Sequence, residues 1–160
     1  MPETSVDRRL ALMLAGGLAF TAAPSGAAPS PALQAELTAA FGDFTRRLNA
    51  RDYSALDLFD GDDALMIGSA VGEVCLGRDA IHAHLAHYWS LPERISFDWQ
   101  RTLCGPIENN GAWLRSEGEV VVTDDHGQTE RSPYRATCVF LRRGKAWRLR
   151  LFSGSDVSKG

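Results

Sequence analysis

Residues 134–154 read YRATCVFLRRGKAWRLRLFSG: two runs of period two, Tyr134 to Arg143 and Ala146 to Gly154, joined through Arg143-Gly144-Lys145. A glycine in a tight connection between alternating runs predicts a β-hairpin. An even-length turn sets even positions of the first run beside odd positions of the second. One face then carries Tyr134, Ala136, Cys138 and Phe140 with Trp147, Leu149, Leu151 and Ser153. The other carries Arg135, Thr137, Val139, Leu141, Arg148, Arg150 and Phe152. The first face is expected to be core-like. The second mixes arginine with apolar residues, as a half-exposed sheet or a subunit contact does.

Two more alternating runs precede this pair. Ile95 to Cys104 sets Phe97, Trp99 and Leu103 against Ser96, Asp98, Gln100 and Thr102, and Ala112 to Thr123 follows a loop with Pro106 and Asn109-Asn110-Gly111. Four such strands in succession predict an antiparallel meander. Before them the period changes to three and four: Leu33, Leu37, Ala40, Phe41, Phe44 and Leu48 form one stripe on a helix from Ala32 to Ala50. A short helix over Tyr53 to Phe59, short strands at Ala64 to Ile67 and Glu73 to Leu76, and a helix opened by Asp79 and reaching Trp89 follow, the last stopped by Pro92. The apolar stripes need one side of the meander. The expected fold class is therefore α+β, a curved antiparallel sheet wrapped around N-terminal helices and enclosing a cone-shaped space.

At the N-terminus Arg8-Arg9 precede an apolar run, Leu10 to Ala23, and then Ser25-Gly26-Ala27. A charge, an apolar middle and small residues make a cleavable signal, and the run is shorter than the roughly 20 residues that span a bilayer. The paired arginines fit a twin-arginine signal, with the general secretory route also open. The expected organisation is a signal peptide over residues 1–27, a linker over 28–32, one cone domain over 33–155 and a tail over 156–160. The mature chain is expected in the periplasm or secreted, with no membrane span after removal of the signal.

Loss of residues 1–27 removes two acids and two bases, so the formal charge stays at −3. Such mild acidity argues against nucleic acid as a partner. Three cysteines, Cys75, Cys104 and Cys138, allow at most one internal disulfide. Each sits among apolar neighbours, where a thiol behaves as a small buried hydrophobe.

Asp60-Gly61-Asp62-Asp63 lacks the spacing and the closing glutamate of a calcium loop and reads as a solvated turn. His82, His84 and His87 invite a zinc reading, but on a helix His82 and His87 diverge and only His84 and His87 share a side. No metal and no cofactor is expected. His84, flanking the Ile81, Leu85 and Tyr88 side, is the histidine expected to face a cavity.

These residues together resemble the SnoaL-like branch of the nuclear-transport-factor-2-like superfamily. The resemblance covers Leu33 to Ser155. It rests on the helix with Phe41, Phe44 and Leu48, the Asp62-Asp63-Ala64 turn into a strand, the Gly77-Arg78-Asp79-Ala80-Ile81 helix start and the closing Gly144-to-Leu149 hairpin. It implies the cone fold and leaves the activity open, since isomerases, hydrolases, cyclases and binding or assembly domains share it. In the ketosteroid isomerase branch an aspartate base follows the Asp-Asp-Ala turn, and the matching position here is Gly68. Many relatives carry histidines on the last strand at positions matching Leu151 and Ser153.

The expected function is binding of a small apolar molecule in the cone by a homodimeric domain. The pocket is expected to be lined by Tyr88, Trp99, Tyr134, Cys138, Phe140, Leu149, Leu151 and Ser153. The alternatives are acid/base chemistry on a small hydrophobic substrate with His84 or Asp98 as base, and a dimeric accessory or assembly module using the outer sheet face.

Overall fold

The computed structural model describes residues 29–157. The expected signal peptide and the last three residues lie outside the described residues. Helix α1 (Pro31–Asn49) starts at an N-cap, Ser30, whose Oγ accepts from the Leu33 N–H at 3.2 Å, with Pro31 in the first turn. Its buried stripe is Leu37, Phe41, Phe44, Thr45 and Leu48. The helix ends in a Schellman motif: Arg51 takes φ 55°, its N–H donates to Leu48 O, and the Asp52 N–H donates to Arg47 O. The short 3₁₀ turns Tyr53–Leu58 and Gly61–Asp63 follow, then β1 (Leu65–Ile67), β2 (Val74–Leu76) and helix α2 (Arg78–Ser90). Strands β3 (Arg94–Ile107), β4 (Gly111–Thr123), β5 (Thr129–Arg143) and β6 (Ala146–Asp156) complete the chain. No helix among the described residues is long and apolar enough to cross a membrane.

The six strands form one sheet in the order β2-β1-β6-β5-β4-β3. The meander is present, and β1 joins it parallel to β6, Leu65 beside Leu151. The sheet curls around α1 without closing, so β3 keeps a free edge. There the Asn49 side chain acts as a strand partner: it donates to Phe97 O at 3.0 Å and accepts from the Phe97 N–H at 2.9 Å. That pair satisfies two edge groups and fixes the end of α1 over β3.

Two bulges break the alternation. In β3 the pairing passes from Trp99 to Arg101 and leaves out Gln100; in β6 it passes from Leu149, opposite Phe140, to Leu151, opposite Val139, and leaves out Arg150. An extra residue reverses which face every later side chain occupies and deepens the local twist. Beyond Gln100 the inward residue is therefore Cys104, while Leu103 is 49% exposed. Beyond Arg150 Phe152 and Gly154 turn inward, and Leu151 and Ser153 stand on the outer face, half-buried. The expectation that Leu151 and Ser153 line the interior is corrected by this bulge.

The acidic turn after the short helices also differs from expectation. Asp60 is not solvated: it accepts two bonds from Arg143, from Nε at 2.8 Å and from NH2 at 2.7 Å, and its N–H donates to Leu149 O. Arg150, the unpaired residue of the bulge, reaches Asp63 at 3.2 Å and Asp60 at 3.8 Å. The turn is thus a clamp on the hairpin at the point where β6 bends.

The narrow end of the cone is solid. Phe44 packs edge-on to Phe59 with ring centres 5.5 Å apart and lies 5.4 Å from Phe152, while Leu37, Leu114, Cys138, Phe140 and Leu149 are fully or almost fully buried. All three cysteines are free and buried. Leu114 stands between Cys104 and Cys138 in the sheet, so the two are two strand spacings apart, roughly 10 Å, beyond disulfide reach. Burial pushes each thiol above its ordinary range, which suits packing and not nucleophilic attack.

The bulge makes a prediction opposite to plain alternation. Phe152→Ala should lower the free energy of unfolding in urea by about 3–5 kcal/mol, and Leu151→Ala by about 1–2 kcal/mol. Equal losses, or a larger one at Leu151, would show that β6 runs without the bulge.

Candidate functional site

At the wide end of the cone the core gives way to a cavity of about 290 Å³. Its floor is Leu48, Met66, Leu85 and Phe152; its sheet wall is Ile95 and Phe97 on β3 with Val120 and Val122 on β4. These walls follow from register, since Phe97 is opposite Val120 and Ile95 opposite Val122, all before the β3 bulge reverses the faces. Helix α2 closes the other side with His84, Tyr88 and Trp89. Phe97 stacks on Trp99 with ring planes 2° apart and lies 5.3 Å from Tyr134.

The polar groups gather where the β1–β2 loop meets α2 and β5. Glu73 is half-buried, and its carboxylate accepts from the Tyr88 hydroxyl and, at 2.9 Å, from the Ala70 N–H. Gly68 makes this possible: a Cβ at that position would overlap the Glu73 carboxylate. The carboxylate therefore fills the space that a side chain at residue 68 would take. Gly154 has the same relation to Tyr134, whose hydroxyl occupies the place of a Cβ there. Ser69 bonds the Tyr134 hydroxyl, and Asp156 lines the same end. Arg51, aimed by its left-handed backbone, also lines the cavity; its NH1 donates to Trp89 O at 2.7 Å and its NH2 to Glu93 O at 2.6 Å.

The protonation states follow from these surroundings. Burial pushes Glu73 up, but the Tyr88 hydroxyl, the Ala70 N–H, the His84 ring and the Ser69 N–H together outweigh it and hold the carboxyl below its usual range. Tyr88, bonded to that carboxylate and partly desolvated, is pushed up to about 12. Burial raises Tyr134 as well, with the Glu73 and Asp156 charges adding to it against the bond from Ser69. Burial lowers His84, and Glu73 only partly restores it, so the ring is neutral at pH 7. At neutral pH the polar end thus holds anionic Glu73 beside a neutral imidazole and two neutral phenols.

Of the residues singled out from the sequence, the cavity brings together Tyr88, Tyr134 and His84. Trp99 lies behind Phe97 and gives its Nε1–H to Thr45 Oγ1 at 3.0 Å. Cys138, Phe140 and Leu149 belong to the solid narrow end, and Leu151 and Ser153 face outward. Asp98 is exposed and paired with Arg131 at 3.3 Å across the sheet, because its strand turns Phe97 and Trp99 inward. It cannot serve as a base in this cavity. His82 stacks on Tyr53 instead, with ring centres 4.9 Å apart, and His87 is exposed. Among the described residues no three His, Cys, Asp or Glu side chains are grouped to hold a metal ion.

Sequence reading missed Glu73, Ser69, Arg51, Phe152 and Asp156. Glu73 shares a face with Cys75, but the strand reads Val-Cys-Leu and offers no polar alternation; Val74 and Leu76, at 62% and 67% exposed, are the outward pair. The one available signal was an acid placed directly after Gly72 in an otherwise apolar strand.

A curled six-stranded sheet cupping a long helix, hollow at its wide end, defines a cone-fold domain of the nuclear-transport-factor-2-like type. Residues 37–157 match the family model of the SnoaL-like domain, and the chain belongs to that family. Solved structures share the fold. Aln2 from a Streptomyces species superposes with TM-score 0.71 at 16% identity, covering 83% of this chain and 96% of that one. An NTF2-like family protein from Streptomyces avermitilis gives 0.68 at 18% identity, with 78% and 96% covered. An NTF2-like protein with a cystatin-like fold from Novosphingobium aromaticivorans gives 0.65 at 16%, with 79% and 83% covered. Among proteins with curated descriptions, none matches the sequence significantly.

Tyrosine titration reads the polar end directly, because the chain has only Tyr53, Tyr88 and Tyr134. Ring-labelled carbon NMR should show Tyr88 titrating near 12 in the wild type. Glu73→Gln, and Gly68→Ala by displacing the carboxylate, should each lower it by about one unit or more toward the ordinary value near 10. An unchanged Tyr88 in Gly68→Ala would place Glu73 elsewhere.

Proposed function

We propose that this SnoaL-like domain binds a small, mainly apolar molecule in the cone, with one polar group of that molecule turned toward Glu73, Tyr88 and Tyr134. The observation that carries the reading is the hollow itself: about 290 Å³ bounded by Ile95, Phe97, Val120 and Val122 on the sheet, with a few polar groups, Glu73, Tyr88 and Tyr134 among them, in its lining. Apolar walls with a few placed polar groups are the ordinary composition of a small-molecule site. A space left unfilled in an otherwise close-packed interior forfeits packing energy, which an occupant restores.

Thermal-shift screening with one- and two-ring hydrophobic fragments should raise the unfolding midpoint of the wild type by several degrees at ligand well above Kd. Val120→Trp, which fills the wall, should abolish the shift while keeping the wild-type circular dichroism. Fragments that never shift the midpoint, or that shift Val120→Trp equally, would refute a ligand cavity.

A second reading, acid/base turnover of such a molecule, is favoured by one observation: His84 lines the cavity as a neutral imidazole. A general base must be unprotonated at the working pH yet basic enough to take a proton; His84, kept neutral by burial, meets the first condition, and Glu73, held low by its bonds, is the weaker base. Under this reading His84→Asn lowers kcat by about 10²-fold or more with fragment affinity kept within a few-fold. An activity that survives His84→Asn unchanged would exclude His84 as the base.

A further inference from the structure

The ligand's polar group can be specified further from the charges that line the cavity, an argument that rests on the binding reading above. Glu73 and Asp156 are carboxylates at one end of the hollow. Glu73 is held by hydroxyl and backbone donors; the titratable neighbour of opposite sign is the His84 ring, which burial keeps neutral at pH 7, and among the described residues no Lys or Arg side chain forms an ion pair with it. Arg51, the guanidinium on the cavity wall, spends NH1 and NH2 on the carbonyls of Trp89 and Glu93. An anionic carboxylate in a partly desolvated, apolar-walled space is stabilised most by a cation brought to it.

The neighbouring groups favour a cation at Glu73 over other ligand chemistries. A carbonyl or ether needs a donor, and the Tyr88 proton is committed to Glu73; the donors that remain are the Tyr134 hydroxyl, which accepts from Ser69 and keeps its own proton, and the His84 N–H, and neither carries a charge to set against the carboxylate. An anion seated at the polar end meets the Glu73 carboxylate at close range. Aromatic side chains border the same space: Phe97, Tyr134, Tyr88, Trp89 and Phe152 all line it. Ring faces attract an ammonium group, and more strongly when water is excluded. We infer that the cavity takes a small primary or secondary amine with an aromatic or aliphatic body, its ammonium seated on the Glu73 carboxylate and its body against the Phe97–Val120 wall.

Matched probes test this with the full chain at neutral pH by calorimetry: tryptamine against tryptophol, and phenethylamine against phenethyl alcohol, which differ only in ammonium against hydroxyl. The wild type should bind each amine at least about tenfold more tightly than its alcohol. Glu73→Gln should bring that ratio to about one; because the ratio is taken within one variant, partial loss of folded protein cancels from it. Asp125→Asn, which removes an exposed carboxylate away from the cavity, should keep the ratio, so that general attraction to an acidic surface is told apart. Alcohols binding as well as amines, or an amine preference that survives Glu73→Gln, would overturn the amine inference and leave the cavity reading standing. Failure of all four probes to bind would overturn both.

Discussion

Arg150 has no partner on β5, and the cone depends on that one extra residue. Without it the last strand would continue its alternation, Phe152 would leave the aromatic cluster around Phe44, and Asp156 would point to solvent. With it, β6 bends, the right-handed twist deepens and the sheet curls over α1. An unpaired residue in a strand loses ladder hydrogen bonds, so something must hold it in place. Here the acidic turn does so: Asp60 and Asp63 take the Arg150 guanidinium, and Asp60 grips Arg143 at the hairpin end. A second bulge at Gln100 produces the matching reversal on the far edge, where Asn49 ties the end of α1 to Phe97.

Curling a sheet over one helix fills a cone only where the two are close. Near the middle of α1, the side chains of Phe41, Phe44 and Leu37 reach the sheet and the interior is solid. Beyond Leu48 the helix ends, and the chain turns away through the left-handed Arg51. The sheet continues past that point, so its inner face there, from Ile95 to Phe97 and from Val120 to Val122, has no helix stripe to cover it. Helix α2 roofs the space without filling it. The hollow is thus a consequence of strands longer than the helix they wrap.

Its chemistry comes from the same geometry. The β1–β2 loop crosses the open end, and Gly68 and Gly154, both without side chains, leave room for the Glu73 carboxylate and the Tyr134 hydroxyl. The Glu73 carboxylate thus occupies the volume that a side chain at position 68 would take. Its hydrogen bonds from Tyr88 and the loop backbone keep it ionised, so it is better suited to hold a charge than to take up a proton. His84, desolvated and neutral, has the complementary property.

Much of the architecture was legible in the chain. The Phe41, Phe44 and Leu48 stripe, the Gly144-Lys145 turn and the run of alternating strands required a helix packed against an antiparallel meander, because hydrophobic period and turn chemistry are local properties. Tyr88, Tyr134 and His84 could be placed near a cavity for the same reason: each lies on an element whose buried side its neighbours declare. The site residues that escaped, Glu73, Phe152 and Asp156, depend on strand register. Glu73 stands just before a strand with no polar alternation, and the other two follow a bulge. Sequence alone therefore determined which elements form and which faces are oily. Tertiary structure decided where the alternation breaks, because a bulge is stabilised by contacts with residues distant in the chain, here Asp60 and Asp63, and no local pattern records them.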